Sequence, residues 1–195
     1  IHLAKKGVII KRLSVIEDLG GVDIFCTDKT GTLTENALSV ASIWGQSKEV
    51  RAWARYSAWD AQAKHFKDGV FDIAIAKGAT KSEIAACRRL KIESTIPFDP
   101  ITRVEQTTII DGGKRVYIIK GVPEMFFPAI PKVKRVEGER WLQSEGQKGR
   151  RVLAVGVVRG NPSTHADMMA RIDFVGMISF EDPLKRGVKA ILSHA

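Results

Sequence analysis

The run VEQTTIIDGGKRVYIIKG, residues 104 to 121, limits the possible folds more than any other stretch. Two segments rich in β-branched residues flank Asp111, Gly112 and Gly113, and that trio supplies the turn of a hairpin. The strands around it are therefore expected to join a largely antiparallel sheet. Strand-like composition recurs in ALSVASIW from Ala37, IESTIPF from Ile92, RRVLAVGVV from Arg150 and RIDFVGMISF from Arg171. About six strands interspersed with helices are expected over residues 37 to 178, an α/β (α+β) arrangement.

Ser47 is placed to cap a helix whose Val50, Trp53, Ala54, Ser57, Ala58 and Ala61 form one core-facing stripe. FDIAIAKGA and, after Thr80, KSEIAACRRL read as a second helical pair broken at Gly78. Shorter helical pieces are expected around Glu124 to Phe127 and Glu139 to Gln147, and RGNPSTHAD reads as a polar loop. The ends are thinner: residues 1 to 35 and 179 to 195 each offer one strand or less and a helix start, too little for a core alone. A domain inserted between two halves of another explains that pattern.

The chain has 195 residues and only two cysteines, Cys26 and Cys87, in unlike settings, which points to a reduced cytosolic compartment. No apolar run approaches the roughly 18 to 20 residues that cross a bilayer, so a soluble polypeptide is expected. The net charge of +9 suits an anionic partner such as a nucleotide, or equally a solvated basic face. Lys132 to Arg135, the longest basic grouping, sits between prolines and a Gly-Glu turn. It has no interleaved aromatics, so no nucleic-acid partner is expected.

Chemistry concentrates in CTDKTGTLTEN, residues 26 to 36. Val22, Asp23, Ile24, Phe25 and Cys26 read as a strand, which puts Asp28 at its carboxyl end. In open α/β sheets that rim is where reacting groups collect.

The heptad DKTGTLT from Asp28 to Thr34 resembles the signature of P-type ATPases, ion pumps that phosphorylate themselves on aspartate. The resemblance covers most of the chain. The stretch from Lys6 to Asn36 resembles the join between membrane helices and phosphorylation domain. IPFDP at 96 to 100, KGVPE at 120 to 124, GRRVLAVG at 149 to 156 and EDPLK at 181 to 185 are similar to its nucleotide-domain and hinge motifs. The PFDP variant is most like the plasma-membrane proton pumps, and no SEHPLA-like motif of heavy-metal pumps is present.

The resemblance implies a six-stranded nucleotide-binding domain, residues 36 to 178. It would be inserted in an incomplete Rossmann-like phosphorylation domain of the HAD type, made of residues 1 to 35 and 179 to 195. Asp28 would attack the γ-phosphorus of ATP and hold the phosphoryl group as a mixed anhydride. Asp28 and the carbonyl of Thr30 would bind Mg²⁺, while Lys29 and Thr32 contact phosphoryl oxygens. For the nucleotide, Phe98 would stack on adenine, Lys120 and Gly121 would line the floor, and Arg151 would reach toward phosphate. Asp72 matches an acidic position near the adenine amino group, Arg103 stands where a lysine is usual, and Asp182 belongs to the hinge. Plainer alternatives remain: Phe98 as core, Asp72 as a solvated helix residue.

Departures from the family pattern fall beside the pocket. Val122 replaces the usual alanine, and Val104 with Glu105 stand where proton pumps tend to carry Arg-Thr. The TGDG…ND motif of the second phosphorylation half, the TGE loop and membrane helices are all absent from these residues. The expectation is the soluble, ATP-binding and autophosphorylating cytosolic piece of a membrane pump. Its partners would be ATP, the transmembrane and actuator domains, and a transported cation, the proton. An isolated ATP-binding module and a soluble phosphatase of the HAD type are the alternatives.

Overall fold

The computed structural model describes residues 21, 23, 24 and 26–193. Along the chain lie β1 (Ser39–Gly45), α1 (Ser47–Ala58), β2 (Trp59–Asp60), β3 (His65–Phe66), α2 (Val70–Ala76) and α3 (Lys81–Arg88). They are followed by β4 (Lys91–Asp99), β5 (Val104–Asp111), β6 (Lys114–Gly121), α4 (Lys132–Gln147), β7 (Arg151–Arg159), α5 (His165–Ala170), β8 (Asp173–Glu181) and α6 (Val188–Leu192). Six strands form one antiparallel sheet in the order β1-β8-β7-β6-β5-β4. The expected hairpin is at its heart. Asp111 pairs with Lys114 around Gly112 and Gly113, whose positive φ values of 55° and 79° suit the tight two-residue turn.

Alternation along each strand sends side chains into two separate cores, one per face. On β6, Val116 and Ile118 join Val50, Ala54, Ala58, Ala74 and Ile75 of α1 and α2. The next residue along, Ile119, joins Phe126, Phe127, Ile130 and Met168 on the opposite face. Helices thus cover both sides of the sheet, and the stripe expected on α1 is buried at Val50, Ala54, Ser57 and Ala58. Trp53 packs at the rim of that core, while Ala61 lies beyond the helix and is exposed. At Thr80 a full capping box with Glu83 starts α3.

Several local expectations are corrected. Gln46 rather than Ser47 occupies the N-cap of α1, and no side chain caps it. The basic grouping Lys132 to Arg135 is the first turn of α4, and Gly138-Glu139 lies inside that helix instead of forming a turn. Packing explains the glycine: a Cβ at Gly138 would sit 3.4 Å from Met177 Cε and 3.6 Å from the Trp44 ring, so the helix can lie close on the sheet. Within the supposed loop RGNPSTHAD, Thr164 accepts from Asp167 N and starts α5. The β2–β3 ribbon, with two residues per strand, is too short to leave any periodic signal in the sequence. As for the strand expected at 22 to 26, Val22 and Phe25 lie outside the described residues. Asp23, Ile24 and Cys26 carry no strand pairing.

Among the described residues no helix is long and apolar enough to cross a membrane.

Candidate functional site

Around the heptad the backbone turns sharply. Asp28 is extended, and Lys29–Leu33 coil with Gly31 at φ 81°. Thr34, fully buried, closes the turn by accepting from Gly31 N at 3.1 Å and donating to Asp182 Oδ2 at 2.6 Å. Asp182 Oδ1 accepts from Ala37 N at 3.1 Å, Glu35 N donates to Pro183 O, and Lys185 N donates to Leu33 O. Residues 33–37 and 182–185 are therefore clasped together at the end of the sheet. Asp182 uses both carboxylate oxygens in that clasp. Asp28 and Thr32, by contrast, are exposed, and Lys29 Nζ reaches across to Gly149 O at 3.3 Å.

A cleft of about 650 Å³ opens between α2, the ends of β4 and β6, and the start of β7. Its wall includes Asp72, Phe98, Glu105, Lys120, Gly121 and Arg151. Phe98 is 50% exposed on β4, an edge strand, so it is no core residue, and it lines the cleft. Gly121 is needed where it stands, because a Cβ there would collide with Arg103 O and with Val104. A smaller cavity of about 150 Å³ adjoins, lined by Lys29, Thr30, Asn36, Gly149 and Asp182 among others. Val70 and Arg151 border both spaces. Arg151, an exposed residue, thus lines both the cleft and the cavity beside the heptad.

The cleft floor is an ion cluster. Lys120 Nζ donates to Asp72 Oδ1 at 2.5 Å and lies 2.9 Å from Glu105 Oε1, yet its side chain is only 3% exposed. By distance the Glu105 contact is an ion pair, but its angle falls short of a hydrogen bond, which leaves the buried Oε1 without one. Burial pulls the Lys120 ammonium toward neutrality, and the Glu105 and Asp72 carboxylates outweigh it, so its pKa is raised. Nearby Lys67, whose Nζ donates to Ser57 O at 2.6 Å, shows the opposite balance: burial wins and its pKa falls.

One wall of the cleft is held by a second cluster. Arg150 donates to Glu145 Oε2 at 2.9 Å and to Glu181 Oε2 at 2.7 Å. Glu145 also accepts from Ser179 at 2.6 Å, Ser42 at 3.0 Å and Lys148 at 2.7 Å, tying α4 to β1 and β8.

The structure brings Asp72, Phe98, Lys120, Gly121 and Arg151 together, and sets Lys29, Thr30 and Asp182 in the adjoining cavity. Arg103 is exposed and does not line the cleft; its backbone does the holding, accepting from Val122 N at 3.1 Å. The sequence marks Glu105 only as a departure from the family pattern, but the hairpin register gives its place. Counting six residues back along each strand from the Asp111–Lys114 pair sets Glu105 opposite Lys120.

No family model matches the chain. Individual proteins do. A protein of Methanocaldococcus jannaschii named "Putative cation-transporting ATPase" is 31% identical over 191 residues, covering 94% of this chain and 22% of that protein. "Plasma membrane ATPase" of Zygosaccharomyces rouxii is 28% identical over 212 residues, covering 100% and 21%. "Probable cation-transporting P-type ATPase" of Mycoplasma genitalium is 29% identical over 206 residues, covering 98% and 24%. The chain spans about a fifth of the length of these curated relatives. With likeness running through nearly all of its residues, the chain belongs to the P-type cation-transporting ATPases.

Proposed function

We propose that this chain binds ATP in the large cleft and carries, at Asp28, the carboxylate that accepts the terminal phosphoryl group in a proton-translocating pump. The observation that carries the reading is the shared border of the two spaces. Half-exposed Phe98 lines the large cleft, the heptad's Lys29 and Thr30 line the smaller cavity, and Arg151 lines both. A nucleotide whose base stacks on Phe98 would direct its phosphates past Arg151 toward Asp28. Proton transport rests on Pro97-Phe98-Asp99-Pro100 and its likeness to the plasma-membrane branch.

Asp28 is the nucleophile in this reading: a carboxylate oxygen bonds to the γ-phosphorus and ADP leaves. Lys29, once released from Gly149 O, and Thr32 are the donors for phosphoryl oxygens. The donor set also fits a hard cation. Asp28 offers an exposed carboxylate and Thr30 a backbone carbonyl, and Mg²⁺ is commonly held by one or two carboxylates with the rest of its shell from phosphate and water. Bound there, the ion would neutralise the repulsion between carboxylate and phosphate. The clasp at Thr34 and Asp182 lies beside both proposed domain boundaries, 35/36 and 178/179, where a hinge between insert and phosphorylation domain would act.

Two measurements test the proposal. Calorimetric titration of this chain with ATP should show one site, weakened about fivefold or more by Phe98→Ala, since base stacking contributes ~1–3 kcal/mol. In the full-length pump, label from γ-labelled ATP should be acid-stable and vanish in Asp28→Asn; label that persists in that variant overturns the assignment.

A further inference from the structure

Two consecutive arginines line the large cleft, and the protein uses them differently. Arg150, partly buried, spends its guanidinium on protein carboxylates. Its Nη1 donates to Glu145 Oε2 at 2.9 Å, while Nε and Nη2 donate to Glu181 Oε2 at 3.1 and 2.7 Å. Arg151 is exposed and also lines the smaller cavity, and among the described residues its side chain makes no ion pair or hydrogen bond. The sheet register separates the two. Arg151 begins β7 opposite Phe180 of β8, so Arg150 falls beside Glu181 one position further out, and alternation turns the two arginines to different sides.

Charge around Arg150 is balanced. Lys148 and Arg150 set two cations against the carboxylates of Glu145 and Glu181. Lys148 Nζ takes Glu145 Oε1, which leaves Arg150 as the ion-pair partner of Glu181 among the described residues. Glu181 directly precedes Asp182, a wall residue of the smaller cavity. Stripped of Arg150, it would add an unbalanced negative charge close to Arg151 and oppose any polyanion approaching there.

We propose that Arg150 is a charge-shielding and positioning residue for the phosphate end of the site: by clamping Glu145 and Glu181 it cancels their field and leaves Arg151 free to meet a polyphosphate. The inference rests on the reading of the cleft as a nucleotide site. Arginine suits the task because one planar fork reaches two carboxylates at once, and its charge is permanent. The shield acts on the phosphates of a ligand and not on its base.

The test is titration of the chain with ATP and with adenosine, followed by heteronuclear NMR shifts. Arg150→Met keeps an unbranched apolar stem and removes the charge. ATP should bind ~10-fold more weakly to it while adenosine binds as before, and the loss should shrink at about 0.5 M salt. Adding Glu181→Gln to that variant restores the balance and should return most of the ATP affinity, which a merely structural role for Arg150 would not do. If Arg150→Met does not fold, Glu181→Gln alone decides: it leaves Arg150 with charge to spare, so ATP should bind more tightly with adenosine unchanged. No loss in Arg150→Met, an equal loss for adenosine, a loss that Glu181→Gln does not rescue, or unaltered ATP binding in Glu181→Gln alone overturns the proposal and leaves the nucleotide site standing. Failure of wild type to bind ATP removes both.

Discussion

Replacing Glu145 by glutamine should cost stability at neutral pH and progressively less as the solution is acidified. The Glu145 side chain is 3% exposed, and burial alone would raise its pKa; hydrogen bonds from Lys148, Ser179, Arg150 and Ser42 outweigh burial and hold it at about 2 rather than its ordinary 4.5. At about 1.36 kcal/mol for each pH unit, that depression contributes ~3 kcal/mol. Because the folded pKa is the lower one, the contribution is complete above the unfolded value and is lost as pH falls from about 4.5 toward about 2. By about pH 3.5, roughly 1.4 kcal/mol of it should be gone. Urea denaturation followed by circular dichroism, run on wild type and Glu145→Gln at about pH 7 and about pH 3.5, measures this directly. The gap between the two proteins should narrow by about that amount. A gap that is the same at both pH values would refute the argument, because a purely steric role for Glu145 has no reason to titrate.

Gly121→Ala should destabilise by roughly 1–3 kcal/mol, since its Cβ collides with backbone and not with a side chain that can swing away; a melting temperature equal to wild type would contradict the close approach of β6 to Arg103. Cys87 is buried and its thiol pushed up to about 11, chiefly by desolvation, whereas Cys26 is exposed. A thiol reagent at mild pH should therefore modify Cys26 alone in the native protein and Cys87 only with denaturant, and rapid native labelling of Cys87 would show that the packing under α3 is wrong.

The physics of short-range pattern explains what could be read ahead of the fold. The turn at Gly112 and Gly113 and the β-branched runs beside it specify a hairpin locally, and the register then follows by counting, down to Glu105 opposite Lys120. Thr80 with Glu83 is likewise a local agreement between backbone and side chain. Where reading failed, the deciding partner was distant. Gly138 looks like a turn residue until Trp44 and Met177 are seen pressing on the helix at its position. Thr164 starts a helix short enough to hide among loop residues, and it is anchored in part by Met168 entering the core beneath the sheet.

The site divides the same way. The motifs in the sequence carry a family resemblance, and that resemblance nominated Asp72, Phe98, Lys120, Gly121 and Arg151, while the strand-like stretch before it put Asp28 in a chemically suggestive heptad. Only the tertiary structure decided that Lys120 lies covered by two carboxylates, that Asp182 is occupied by Thr34 and Ala37, and that Arg103 acts through its backbone. Side-chain type limits what a group can do, but burial and the partners brought from 15 to 148 residues away determine which of its atoms remain available.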